Sequence, residues 1–349
     1  MKRTILVSII FLLIAGGAAI AENKKGEPEY LIKMATIAPE MGEGSELMYK
    51  MNEELMKRTQ GRLKLRVYFG GVMGDEPDIV KKMRLGQLQG GMVLTLLGLG
   101  HICPAAKVLE LPFLFNNHDE IDHVVFTEMR PTFARLFEEK GAYLVCWSEI
   151  GFGYYFFKNR VNSFKDIKKV KMVSFTGDPV FAAAEKAAGF ENLIPLHISE
   201  TLTGLQTGLI DGTLGPFLSV IAFQWFSYTN YVLNLPFSYS PAGTVVDKKF
   251  FDRLPRELRE VFFDVWRKWE PEWIQIARRM EKDSYGALLQ RGMVEIEKEK
   301  ALAIAEEMKK GTHPLYDKFI DEYYPSWLLA EILERLAKYR AEKSEGKSR

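Results

Sequence analysis

Few side chains in this chain are placed to do covalent chemistry. There is no GxSxG, no GxGxxG after a strand, no GxxxxGK followed by Ser or Thr, and no HExxH. The usual hydrolytic nucleophile, nucleotide cradle and zinc helix are therefore missing. His118 and His123, flanked by Asp119, Glu120 and Asp122, form the densest group of metal-ligand types. A spacing of five does not stack two side chains on one helical face as a spacing of four does. Acidic residues suit a helix N-terminus, so this segment reads as a solvated acidic helix start and no metal is called for. Glu149 is the one acid embedded in an aromatic run, Trp147 to Phe157. It reads as a buried structural carboxylate paired with a nearby base or with backbone N–H groups. The competing reading makes Glu149 and Asp178 the working acids of an enzyme that lacks a familiar motif. Cys103 and Cys146 show no CxxC spacing, and whether they pair stays open at this stage.

The elements around these residues follow from hydrophobic period. Tyr30 to Ala35 and Leu63 to Phe69 alternate as strands, with an amphipathic helix from Ser45 to Thr59 between them. A helix from Asp75 carries Pro77 in its first turn, where proline is tolerated, and Met92 to Leu96 is a short buried strand. This β-α-β-α-β order predicts a mostly parallel sheet with helices on both faces. The same wiring recurs with strand Lys171 to Phe175, helix Pro179 to Ala188, strand Asn192 to Leu196, and a helix from an N-cap at Ser199 to Gln206. Two lobes of similar construction are expected. The chain crosses between them at Cys146 to Asn159 and returns at Tyr231 to Phe237. Apolar residues at helical spacing run from Pro255 to Arg291, and Pro271 inside that run predicts a kink or break near Trp269 to Glu272.

The ends and the overall charge bound the setting. Lys2 and Arg3 precede an apolar run from Ile5 to Ile20 that ends in Ala19-Ile20-Ala21, the pattern of a secretory signal peptide cut after Ala21. Residues 1–21 are then a cleaved leader, and the mature chain works outside the cytoplasm, in the periplasm. Lys and Arg total 47 against 46 Asp and Glu, so no global field favours nucleic acid. The expected division is lobe I from 28–148 plus about 234–270, lobe II from 149–233 plus about 271–340, and a frayed polar tail at 341–349.

Aromatic residues crowd the first crossing: Trp147, Phe152, Tyr154, Tyr155, Phe156 and Phe157, with Phe175, Phe217, Phe223, Trp225 and Phe226 farther on. An apolar strand at a lobe boundary is what a largely apolar ligand cleft requires.

Met34-Ala35-Thr36 with Ala38-Pro39, Gly61-Arg62-Leu63-Lys64, Arg84-Leu85-Gly86, Leu111-Pro112-Phe113-Leu114-Phe115, and Leu205-Gln206-Thr207-Gly208-Leu209-Ile210-Asp211-Gly212 occur in that order. Together they resemble the extracytoplasmic solute-binding subunits of TRAP (tripartite ATP-independent periplasmic) transporters, the DctP-like family. The resemblance implies an α/β, two-lobed periplasmic-binding-protein-like fold with a long kinked helix bracing both lobes. It also implies a bound small molecule, handed to TRAP membrane permease subunits, with no cofactor and no enzymatic step.

Members of that family typically hold a ligand carboxylate with an arginine on the first strand of the second lobe, a position occupied here by Val173. A second frequent arginine falls at Gly153, and an Asn before proline falls at Gly215. A carboxylate in a dry cleft needs a charge-assisted partner. The expected ligand is therefore apolar or amphipathic, held by Phe152, Tyr154, Phe156, Val173, Phe175 and Phe217, with Glu149 beside them. This resembles the subgroup whose transporters use a partner with tetratricopeptide repeats. Two alternatives stay open: a cationic clamp relocated to Lys158 or Lys171, and a scaffold whose cleft only docks a partner.

Overall fold

The computed structural model describes residues 28–176 and 178–347, so the expected leader at 1–21 lies outside the described residues. Strands β1 (Tyr30–Ala35), β2 (Leu63–Tyr68), β3 (Gly90–Thr95), β4 (Ala142–Phe157), β5 (Lys171–Phe175), β6 (Asn192–Leu196), β7 (Gly212–Gly215), β8 (Tyr231–Asp247) and β9 (Val294–Glu295) share one sheet. Its order is β2-β1-β3-β8-β4-β7-β5-β6, with β9 on β8. β1 pairs in parallel with β2 and β3, and β5 in parallel with β6 and β7. These are the two parallel halves that the repeated wiring predicts.

The halves are joined by two long strands. β4 and β8 run antiparallel from Ala142 opposite Asp247 to Phe157 opposite Tyr231, with register shifts at Leu144/Cys146, Glu149/Gly151 and Gly153/Tyr155. The Ala142 to Ser148 stretch sits beside the partner of β3, whereas Tyr154–Phe157 pairs with β7. The first crossing lies within the expected segment. The return crossing comes later than Tyr231–Phe237, because Tyr231–Leu233 still pairs with Tyr155–Phe157. Gly151 takes φ +119°, a conformation that favours glycine, at the middle bulge.

Local chemistry explains the flanking helices. Glu43–Arg58 buries Leu47, Met48, Met51 and Leu55 on one stripe, with Glu43 and Glu46 in its first turn and Lys57 and Arg58 in its last, as the helix dipole favours. The helix that begins at Thr201 is entered through a capping box of His197 and Glu200, not through the expected Ser199.

Arg256–Gln290 is one continuous 35-residue helix that contains Pro271, so of the expected kink or break the break does not occur. Proline removes one backbone hydrogen bond. Here Trp266 and Ile276, either side of it, are buried in the same core, and Glu270 is anchored by the Trp147 amide at 2.7 Å and by Arg130 at 2.8 Å. Leu258, Phe262 and Val265 enter the core beneath β1 and β2, while Leu288 enters the larger core that continues into the second half. The helix therefore braces both.

Two expectations about the end of the chain are corrected. Ala341 onward is the last part of helix Ser326–Lys347, not a frayed tail. That helix packs on the π-helical turn Ile121–Glu128 of the first half, with Arg335 on Glu128 at 3.0 Å and Arg340 on Glu120 at 2.7 Å. The segment 326–340 thus returns to lobe I, held there by those ion pairs and by its packing on Ile121–Glu128.

Candidate functional site

A cavity of about 160 Å³ opens between the halves where β4 and β8 cross. Thr95 and Leu97 after β3, Phe175 and Asp178 around the end of β5, and Gly215 and Pro216 after β7 form its rim. These are the C-terminal ends of parallel strands, where open α/β sheets bind ligands. Ile150 and Gly153 of β4 and Phe237, Ser238 and Ser240 of β8 supply the floor.

One wall is aromatic. Phe175 lies 5.4 Å from Phe181 and 6.1 Å from Trp225, and Trp225 stacks on Phe223 at 5.4 Å and 24°. The helix Pro179–Ala187 that carries Phe181 starts on a strong cap, in which Asp178 Oδ1 accepts from the amides of Val180 and Phe181.

The charged groups of the lining are acids. Asp178 Oδ2 accepts from Lys107 Nζ at 2.8 Å, both side chains being about 10% exposed. Glu110 lines the cavity at the end of the 3₁₀ segment Pro104–Glu110. Burial pushes its carboxyl up to about 8, the Asp178 and Glu76 charges raising it further and Lys107 opposing. Glu76, behind Thr95, is pushed up to about 7 by burial, although the Thr95 amide and hydroxyl and the Gly98 amide hydrogen-bond to it. Among the described residues no lysine or arginine lines the cavity.

Of the residues expected to hold a ligand, Phe175 lines this cavity. Phe152, Tyr154 and Phe156 lie on the other face of β4. Tyr154 stacks on Phe217 at 4.2 Å, Phe156 meets Phe217 edge-on at 5.9 Å, and Phe217 contacts Tyr285 of the brace helix at 4.8 Å. Val173 is fully buried one pleat below Phe175. The bulge at Glu149/Gly151 and the strict alternation of a strand turn Gly153, not its aromatic neighbours, toward the cavity.

Glu149 is 1% exposed and belongs to a separate ionic group. It accepts from Arg278 Nε at 2.6 Å and Tyr239 hydroxyl at 2.6 Å, with His118 Nδ1 3.4 Å away. Burial works against its charge, and His118 and Arg278 outweigh that, holding the carboxyl below its ordinary range. The paired structural carboxylate is the arrangement found. Glu120 is buried by Arg340 and Asn116 rather than solvated, which corrects the reading of the His118 segment. Cys103 and Cys146 are free and buried.

Sequence reasoning missed Glu110 as a cavity group and Lys107 as the partner of Asp178. The available signal was two charges inside the apolar run that leads into Leu111-Pro112-Phe113. Lys158 and Lys171 stand at the other ends of β4 and β5 from the cavity, with Lys171 bonded to the Gly208 carbonyl and 3.5 Å from Asp211.

Two α/β halves joined by crossing strands, braced by one helix and enclosing a cavity at the crossing, define a two-lobed solute-binding protein. Residues 35–322 match the family described as bacterial extracellular solute-binding protein, family 7, and the chain belongs to that family of transport components, which are not enzymes. A solute-binding protein of Verminephrobacter eiseniae is 30% identical over 220 residues, covering 62% of this chain and 64% of that protein. A TRAP periplasmic solute-binding protein from Ochrobactrum anthropi, solved with its C-terminus in the ligand-binding pocket, superimposes with TM-score 0.78 at 25% identity, over 90% of this chain and 97% of that one. A TRAP periplasmic solute-binding protein from Haemophilus influenzae with bound L-gulonate matches with TM-score 0.78 at 20% identity, over 88% and 99%. That last likeness speaks to the fold alone. No helix among the described residues is long and apolar enough to cross a membrane.

Proposed function

We propose that this chain is the exported solute-binding subunit of a TRAP-type transporter, capturing an apolar or amphipathic small molecule for the membrane permease subunits. The observation that carries the reading is the charge of the cavity wall: aromatic rings with Glu110 and Asp178, and no lysine or arginine among the described residues. A sugar acid such as the L-gulonate of the Haemophilus protein would bring a carboxylate against two acids. An unpaired buried charge is costly enough to prevent tight binding. Export through the 1–21 leader, and a periplasmic partner with tetratricopeptide repeats, belong to the same proposal and rest on the sequence resemblance.

A second reading keeps a carboxylate ligand and gives Lys107 the clamp. It is favoured by the pairing of Lys107 with the lining residue Asp178, and it requires the ligand to displace Asp178 from a 2.8 Å ion pair.

Native mass spectrometry of the mature protein, with extraction of whatever copurifies, separates the two. An apolar or amphipathic molecule, lost on Phe175→Asp, supports the first. A sugar acid or dicarboxylate, lost on Lys107→Met, overturns it.

A further inference from the structure

Among the described residues, one carboxyl in the cavity lining has no protein hydrogen-bond partner. Asp178 is fully engaged, by Lys107 on one oxygen and by two helix amides on the other. Glu110 lines the same cavity, and among the described residues no protein donor reaches its carboxyl. Opposite charges near a buried acid favour its ionised form, and like charges suppress it. Lys107 faces it from its own segment, Asp178 from the connection after β5, and Glu76 from helix Glu76–Arg84. Lys107 is already paired with Asp178, so Glu110 has no cation of its own among the described residues.

Resting on the function proposed above, we propose that the solute is a small amphipathic amine, its protonated nitrogen held by Glu110 and its apolar body lying against Phe175, Trp225 and Phe223. An ammonium supplies the missing cation and up to three donors to a carboxyl that has none. Ring faces beside it add cation–π attraction, which is stronger where water is excluded. A neutral alcohol could donate one hydrogen bond but brings no charge to draw Glu110 into its ionised form. A carboxylate would add to the acids. With Glu110 held protonated in the empty cavity, its titration raised toward 8, entry of an ammonium drives off the carboxyl proton, so binding releases a proton to the buffer.

The test is titration calorimetry at pH 7 on the mature chain with three probes of one shape: phenethylamine, 2-phenylethanol and phenylacetate. The expected result is at least tenfold tighter binding of the amine than of either other probe, with an enthalpy that varies with buffer ionisation. Glu110→Gln should lower amine affinity at least tenfold and leave 2-phenylethanol within about threefold, which also reports that the cavity is intact. Equal affinity for amine and alcohol, no binding of the amine, or indifference to Glu110→Gln overturns the amine inference while the apolar-ligand reading stands. Tightest binding of phenylacetate overturns both.

Discussion

Arg278 of the brace helix donates to Glu149 of β4 at 2.6 Å and, through its other two nitrogens, to Asp122 at 2.9 and 2.7 Å. Glu281, one turn on, accepts from the Phe152 amide at 3.2 Å and lies 2.9 Å from His118 Nε2. A Cβ at residue 151 would come within 2.7 Å of Glu281 Oε1, so glycine there admits the carboxylate as well as the φ of +119°. The helix thus grips β4 across the bulge at which the sheet passes from one half to the other. Ionic groups at Trp147, Glu149 and Phe152 fix the geometry of the crossing, and the cavity lies on the opposite face of the same strand.

Removing one partner of a buried ion pair strands the other. Arg278→Ala is expected to lower unfolding stability by about 3 kcal/mol, whereas Arg278→Met combined with Glu149→Leu should recover most of that. Urea unfolding of Arg278→Ala, Arg278→Met, Glu149→Leu and the double variant measures it. A double variant that loses the sum of the single losses would show that the pair is not what anchors the helix.

His118 should make stability depend on pH. Burial opposes its charge, but Glu149 and Glu281 outweigh burial and raise it to about 9 from an ordinary 6.5. A raised folded value contributes stability that is complete below pH 6.5 and disappears as pH climbs through about 9. The Tm gap between wild type and His118→Gln should therefore close across that window. A gap independent of pH would assign the effect to the edge-on packing of His118 on Phe152.

Glu185 behaves in the opposite sense. It is fully buried, both carboxyl oxygens lack partners among the described residues, and burial pushes its titration well above the ordinary range. Such an acid costs stability as pH rises from about 4.5 toward its folded value, with a slope approaching 1.4 kcal/mol per pH unit. Glu185→Gln should gain on wild type progressively above pH 4.5 in chemical unfolding. Parallel stability curves would mean that Glu185 titrates alike in the folded and unfolded chains.

Both thiols should be silent in the native protein. Burial pushes Cys103 up to about 11 and Cys146 up to about 12, and only the thiolate reacts readily. Iodoacetamide at pH 8 should label neither cysteine natively and both in 8 M urea, without reductant, as read by intact mass. Labelling in urea that needs reductant would reveal a disulfide.

Period and punctuation carried the elements. β1, β5 and β6 have the bounds read from the sequence, and the first crossing lies where it was expected, whereas the return crossing lies beyond Tyr231–Phe237. The face turned toward the cavity was harder to read. Phe152, Tyr154 and Phe156 sit on the side of β4 away from the cavity, because register shifts at Gly151 and Gly153 reset which side chains face which way, and a bulge has no reliable mark in a single sequence. Glu149 shows the same limit, since Arg278 lies 129 residues away.

The amino-acid sequence by itself determined two α/β halves, a first crossing, a long helix around Pro271 and the absence of an arginine from Lys168 to Thr176, since all of these are local in pattern or composition. Only the tertiary structure decided that Glu110 and Asp178 line one cavity with Lys107 paired to Asp178, that Phe175 reaches it while Val173 lies one pleat deeper, and that the C-terminal helix returns to the first half. Those outcomes depend on register, bulges and long-range packing, where a shift of one residue reverses every side chain and no local period records the choice.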